Sequence, residues 1–163
     1  ELFTEMCLRR VEPNVVAYSA AISACEKGTQ WLEALWFFAD LSRRRVEANV
    51  VSYSAAITAC EKGANWQEAL GMFAGMRQRR VEPNVITYNA VISACEKGAI
   101  TQEALDIFTD LDRRQVEPNV ITCSAAISAC VWSAQWQEAL GMFNDMCQRK
   151  VEPNVITYSA VIT

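Results

Sequence analysis

The sequence predicts an all-α fold, an α-solenoid of stacked 35-residue helix-turn-helix repeats. Three observations carry that prediction. The string VE(P/A)NV begins at Val11, Val46, Val81, Val116 and Val151, each 35 residues after the one before. EAL recurs with the same period from Glu33, Glu68, Glu103 and Glu138. Within each period the apolar residues fall at helical spacings, and no stretch alternates long enough to argue for a strand. Self-similarity at a fixed period is the signature of a repeat array.

Four full units are cut at 15–49, 50–84, 85–119 and 120–154, the last divergent. Residues 1–14 read as the C-terminal part of a preceding unit and 155–163 as the start of a following one, so a longer array is expected. In the first helix of the first unit, Tyr18, Ile22 and Cys25 fall at i, i+4 and i+7 and make one apolar stripe. Gly28 is expected to end it, with Gly63 and Gly98 doing so in the next two units. The second helix carries Trp31, Leu35, Phe38 and Leu41. Its small Ala34, matched by Ala69, Ala104 and Ala139, would let neighbouring helices approach closely. Arg43, Arg44 and Arg45 suit the negative pole at its end. Between hairpins comes Pro-Asn, as at Pro13 and Asn14, and Asn is a favourable N-cap.

The composition is globular: 163 residues, 52% apolar, 21% charged, with a net charge of −4. The chain has no histidine, which removes Ser-His-Asp and Cys-His catalysis and every His-based metal site. Seven cysteines are numerous enough for a zinc site, but Cys25, Cys60, Cys95 and Cys130 are one repeat position. Such positions lie on the order of 10 Å apart in stacked hairpins, too far for shared coordination or a disulfide. Cys7 and Cys147 share another position, and Cys123 stands where other units have Tyr. All are expected as free thiols packed as small apolar groups. Trp31, Trp66 and Trp136 occupy one position, with Thr101 in the remaining unit, and are expected to pack within or between repeats. The EAL glutamates sit in first turns, where the helix dipole favours them. No catalytic residue, metal or cofactor is expected. No apolar run reaches the ~18 residues of a membrane span, and the opening Glu1-Leu2-Phe3-Thr4-Glu5 lacks the basic region of a signal peptide.

The distribution of charge says more than its total. Of the 15 basic residues, all but Lys27, Lys62 and Lys97 lie near the end of a second helix, from Arg9 and Arg10 to Arg149 and Lys150. Those three lysines end the first helix in units one to three. A ladder of single lysines is what a tracked polyanion needs. Cationic helix capping explains it equally well, and adjacent Glu26, Glu61 and Glu96 dilute the field.

A 35-residue hairpin carrying V(V/I)xY(S/N)AxI, CEKG, EAL and VEPN resembles the pentatricopeptide repeat family over essentially the whole chain. The tetratricopeptide repeat shares the Ala34-to-Phe38 element, but it has a 34-residue period and a first-helix signature absent here. The resemblance implies a right-handed superhelix that binds single-stranded RNA, one base per repeat. It implies a role in organellar RNA metabolism, in chloroplast or mitochondrion, acting by occupying or presenting RNA rather than cutting it.

By the same resemblance, the second residue of each unit sandwiches a base: Val16, Val51, Ile86, Ile121 and Ile156. The fifth and last residues read it: Ser19 with Asn49, Ser54 with Asn84, Asn89 with Asn119, and Ser124 with Asn154, while Ser159 starts a further pair. Lys27, Lys62 and Lys97 match the phosphate-contacting position. The implied preference is A-A-C/U-A, running 5′ to 3′ along the repeats. An Asn amide offers a donor and an acceptor, and a Ser hydroxyl can be either. Asn49, Asn84, Asn119 and Asn154 could equally recur as N-caps. The exchange of Ser for Asn89 at the other reading position favours readout. The fourth unit departs, with Cys123 for Tyr and Val131-Trp132-Ser133 for Glu-Lys-Gly, which removes its lysine. Ala48 replaces the usual Pro. A helical scaffold that binds a protein or peptide is the alternative, favoured by the acidic balance.

Overall fold

The computed structural model describes residues 13–162. Cys7, Arg9, Arg10, the Val11 signature and the rest of residues 1–12, with Thr163, lie outside the described residues. Nine helices and no strands occur among the described residues. They are α1 (Val15–Lys27), α2 (Trp31–Arg43), α3 (Val50–Lys62), α4 (Trp66–Gln78), α5 (Val85–Lys97), α6 (Thr101–Arg113), α7 (Val120–Trp132), α8 (Trp136–Gln148) and α9 (Val155–Ile162). None is long and apolar enough to cross a membrane.

Both ends of each hairpin follow from local chemistry. Asn14, Asn49, Asn84 and Asn119 are extended N-caps whose side-chain oxygens accept a backbone N–H from the first turn of α1, α3, α5 and α7. At the other end, the Gln30 N–H donates to the Cys25 carbonyl at 2.9 Å and the Thr29 N–H to the Glu26 carbonyl at 3.2 Å. That double bond pattern is a Schellman closure, and it recurs in every hairpin turn. The glycines expected to end the first helices sit at the right place for a different reason. Gly28, Gly63 and Gly98 hold φ of −80°, −80° and −83°, open to any residue. The left-handed residue is the next one along: Thr29, Ala64, Ala99 and Ala134, with φ between 53° and 57°.

The chain divides into two compact units, Glu1–Pro83 and Asn84–Thr163. In the first, α1 packs on α2 and α3, α2 on α3, and α3 on α4. In the second, α5 packs on α6 and α7, α6 on α7, α7 on α8, and α9 on α7 and α8. Ala34, Ala69, Ala104 and Ala139 are all buried, as close helix approach requires. Leu41, Met76, Leu111 and Met146 share one register and are fully buried. In the first unit Tyr18, Leu41, Ala48, Tyr53 and Met76 form one cluster, with the Phe38 and Tyr53 rings edge-to-face at 4.8 Å. The Ala48 that replaces Pro is part of this core. The Tyr18 hydroxyl donates to Asp40, and Tyr88 donates to Asp110 at 2.8 Å.

Contacts between successive hairpins differ from unit to unit. The Trp31 ring lies so close to Gly63 that a β-carbon there would stand 2.4 Å from its Cδ1. In the second unit the matching pair is Thr101 and Ser133. The Thr101 hydroxyl bonds the Ala129 carbonyl at 2.8 Å and also the Ser133 hydroxyl. Arg149 forks onto Asp112 at 2.7 and 3.0 Å. Trp136, expected to pack, is 61% exposed.

Candidate nucleic-acid interface

The first turns of α1, α3, α5, α7 and α9 each present a large branched aliphatic to solvent. Val16 and Val51 are 68% and 53% exposed in the first unit; Ile86, Ile121 and Ile156 are 56%, 54% and 62% exposed in the second. Isolated exposed valines need no explanation. Two in the first unit and three in the second stand at one register, each one residue beyond the start of a helix, and the core of neither unit uses them.

Beside each aliphatic stands the capping Asn. Its oxygen is committed: Asn49 Oδ1 accepts the Ser52 N–H at 3.0 Å, Asn84 Oδ1 the Thr87 N–H at 3.0 Å, and Asn119 Oδ1 the Ile121 and Thr122 N–H groups at 3.0 and 3.1 Å. Asn154 Oδ1 accepts the Thr157 N–H at 2.9 Å. Capping and readout are therefore not exclusive. The cap fixes which end of the amide faces inward.

Three of the expected reading pairs are brought together. The Ser19 hydroxyl donates to Asn49 Oδ1 at 3.4 Å, and the Ser124 hydroxyl to Asn154 Oδ1 at 3.4 Å. Asn89 and Asn119 are joined through Thr122, whose hydroxyl reaches the oxygens of both. Ser54, on α3, and Asn84, capping α5, belong to different units. The serines are nearly buried, at 6%, 6% and 4% for Ser19, Ser54 and Ser124. Asn89 is half-buried, and Ser159 is exposed on α9.

The hydroxyls three residues after the capping Asn are the members the sequence reading missed. Ser52, Thr87, Thr122 and Thr157 are fully buried. Each accepts the N–H of its own capping Asn, at 3.0, 3.4, 3.2 and 3.3 Å. The sequence held the signal: a Ser or Thr stands there in all but the first helix, where Ala17 takes the place.

The lysine row is less open than its sequence suggests. Lys62 forms an ion pair with Glu26 of the preceding repeat and lies 3.3 Å from that residue's carbonyl oxygen. Lys27 and Lys97 are exposed. In the fourth unit Trp132 takes the lysine position and is 76% exposed. It lines a groove of about 600 Å³ with Glu96, Ser128, Ile156 and Ser159.

Four of the cysteines are held as buried, protonated thiols. Cys60, Cys95, Cys123 and Cys130 are buried. Burial pushes the Cys60 and Cys95 thiols up to about 12, reinforced by the charges of Glu68 and Glu103. Burial likewise raises Cys123 to about 11. Cys147 is exposed rather than packed as a small apolar group. No group of three or more Cys, Asp or Glu among the described residues could hold a metal ion.

Comparison with known proteins agrees with this geometry. A model described as a pentatricopeptide repeat domain matches residues 37–97, the PPR repeat family matches 119–163, and a single PPR repeat matches 16–46 and 86–116. No curated protein sequence matches the chain. The pentatricopeptide repeat protein PPR10, in complex with an 18-nt psaJ RNA element, is 28% identical with a TM-score of 0.77. That match covers 92% of this chain but 22% of PPR10, so the chain spans about a fifth of that relative. A structure of PPR10 from maize is 30% identical over 99% of this chain and 23% of its own, with a TM-score of 0.66. The PPR domain of Arabidopsis thaliana protein-only RNase P 1, in complex with tRNA, shares the fold at 17% identity, with a TM-score of 0.79 over 86% of this chain and 75% of its own. Between them the repeat models account for nearly all of residues 16–163: the chain belongs to the pentatricopeptide repeat family.

Proposed function

We propose that the chain is a sequence-selective single-stranded RNA-binding module that takes one base per repeat. The observation that carries this reading is the exposed branched aliphatic beside each capping Asn, from Val16 to Ile156. A β-branched apolar side chain covers the face of any base, and the amide and hydroxyl beside it address the base edge. The likeness to a relative bound to RNA supports the same reading. The repeats are units 15–49, 50–84, 85–119 and 120–154, with the preference A-A-C/U-A from 5′ to 3′. Organellar RNA metabolism is the setting the family resemblance favours. Binding, not cleavage, is the activity.

Electrostatics contribute modestly. With Lys62 held by Glu26, the lysine row gives a salt slope no steeper than about −2, at ~0.7 per neutralised phosphate on a single strand. The decisive measurement is a titration of the chain with RNA containing A-A-C-A and with RNAs changed at each base. Single-base changes are expected to weaken binding by roughly fivefold or more. Equal affinity for all of them would end the readout claim. Exchanging Asn89 for Ser should move the third preference from pyrimidine toward adenine. The same Glu26–Lys62 pair, with the net charge of −4, favours a second reading as a peptide-binding scaffold. A binding response to RNA that weakens with salt separates the two.

A further inference from the structure

We infer that Thr122 sets the base preference of the third repeat, by turning the Asn89 amide to match Asn119, so that each offers only N–H groups. The inference rests on the RNA-binding reading above and deepens it. Thr122 is fully buried on the first turn of α7 and touches no surface that RNA reaches. It is a positioning residue, acting through Asn89.

The proton count at this hydroxyl is restrictive. Asn119 Oδ1 already accepts two backbone N–H groups, from Ile121 at 3.0 Å and Thr122 at 3.1 Å. Backbone amides can only donate, so the inward atom of Asn119 is its oxygen and its Nδ2 amino group is left for a ligand. The Thr122 oxygen accepts the Asn119 N–H at 3.2 Å. Its one proton goes to the acceptor that lacks other donors, Asn89 Oδ1, with which it forms a hydrogen bond. Asn89, half-buried on α5, then also faces outward with its amino group.

A base held at the third repeat therefore meets two donors and no acceptor. Of the four bases, cytosine alone has two adjacent acceptors, N3 and O2, on its Watson–Crick edge. Uracil interposes an N3–H between its carbonyls, adenine has an amino group beside N1, and guanine has donors at N1 and N2. The hydroxyl thus turns a pyrimidine site into a cytosine site. In the first repeat the Ser19 hydroxyl donates inward to Asn49, so that position offers lone pairs and does not depend on Thr122.

The wild-type chain tests this directly with RNAs altered at the third base. Pyrimidin-2-one, which keeps N3 and O2 but lacks the amino group, is expected to bind within about twofold of cytosine, while 3-deazacytosine and uracil bind ~10-fold more weakly. Thr122→Val should bring cytosine and uracil within about twofold of each other, and Thr122→Ser should keep the wild-type ratio. Adenine preference at the first base is the internal control for a folded, RNA-competent chain. If that preference holds while 3-deazacytosine binds as cytosine does, or while folded Thr122→Val keeps the full ratio, Thr122 does not set the preference. Loss of RNA binding by the wild-type chain would instead remove the RNA-binding reading itself.

Discussion

The junction between the first two hairpins and the junction between the last two occupy the same register, two periods apart, and are built differently. Trp31 covers Gly63 in one; Thr101 hydrogen-bonds Ser133 in the other. Lys62 pairs with Glu26 in one, whereas Trp132 stands beside Glu96 in the other. Ser42 and Arg79 hold the register positions that the bidentate Asp112–Arg149 pair fills in the second. A large ring on a residue without a β-carbon and two small hydroxyls in contact fill the same gap. The repeat period therefore fixes the frame, and each junction settles its own volume and charge. The apparent degeneration of the fourth repeat is at Ser133 a matched pair with Thr101.

The largest effect expected from that comparison is at Gly63. A side chain there must displace the Trp31 ring from 2.4 Å, so Gly63→Ser is expected to destabilise the chain by ~2–3 kcal/mol, in the range of overpacked cores. Adding Trp31→Thr transplants the second junction into the first and should recover at least half of the loss. Denaturant unfolding of the two single variants and the double variant gives the coupling. Additive costs would mean that the two positions are not a pair.

That pairing also marks how much was legible in the sequence. The period, the capping Asn at the head of each first helix and the buried Ala34 series were readable because they are local and recur every 35 residues. Gly28 and its equivalents were readable as helix ends, but the backbone reason was not. The left-handed position falls on Thr29 and the alanines after it, and at Gly63 the missing β-carbon makes room for Trp31. Contacts between hairpins were hidden for a plain reason. Trp31 and Gly63, or Glu26 and Lys62, lie about one period apart, and neither residue alone reveals which neighbour it meets. The aliphatic and asparagine positions came from the family resemblance; the buried Thr122 hydroxyl that links two of them is visible only in the packed helices.

The second junction breaks more gently. Thr101→Val keeps the shape and removes the hydroxyl that bonds the Ala129 carbonyl at 2.8 Å and the Ser133 hydroxyl. A loss of ~1–2 kcal/mol is expected, because Thr101 is buried and Ser133 loses a partner. Thr101→Trp with Ser133→Gly should be tolerated, and Thr101→Trp alone should not. Thermal unfolding of these three variants checks the interchange from the opposite direction. A well-tolerated Thr101→Trp would mean that the second junction has slack the first lacks.

The smallest effect on stability is expected at the charged end of the first junction, yet it bears most on RNA. The Lys62 side chain is 35% exposed and Glu26 18% exposed, a partly screened pair worth under ~1 kcal/mol to the fold. A phosphate that approaches Lys62 must compete with that carboxylate. Glu26→Gln removes the competitor while keeping the side chain's length, so RNA affinity should rise roughly two- to fivefold at low salt. The salt slope should steepen by ~0.7, one further phosphate neutralised on a single strand. Trp132→Lys introduces a cation at the matching position beside Glu96, and a smaller gain is expected because the carboxylate remains to receive it. An unchanged slope in Glu26→Gln would mean that RNA does not pass Lys62. The ion pair would then be read as cohesion between hairpins, and the first junction would differ from the second in its packing alone.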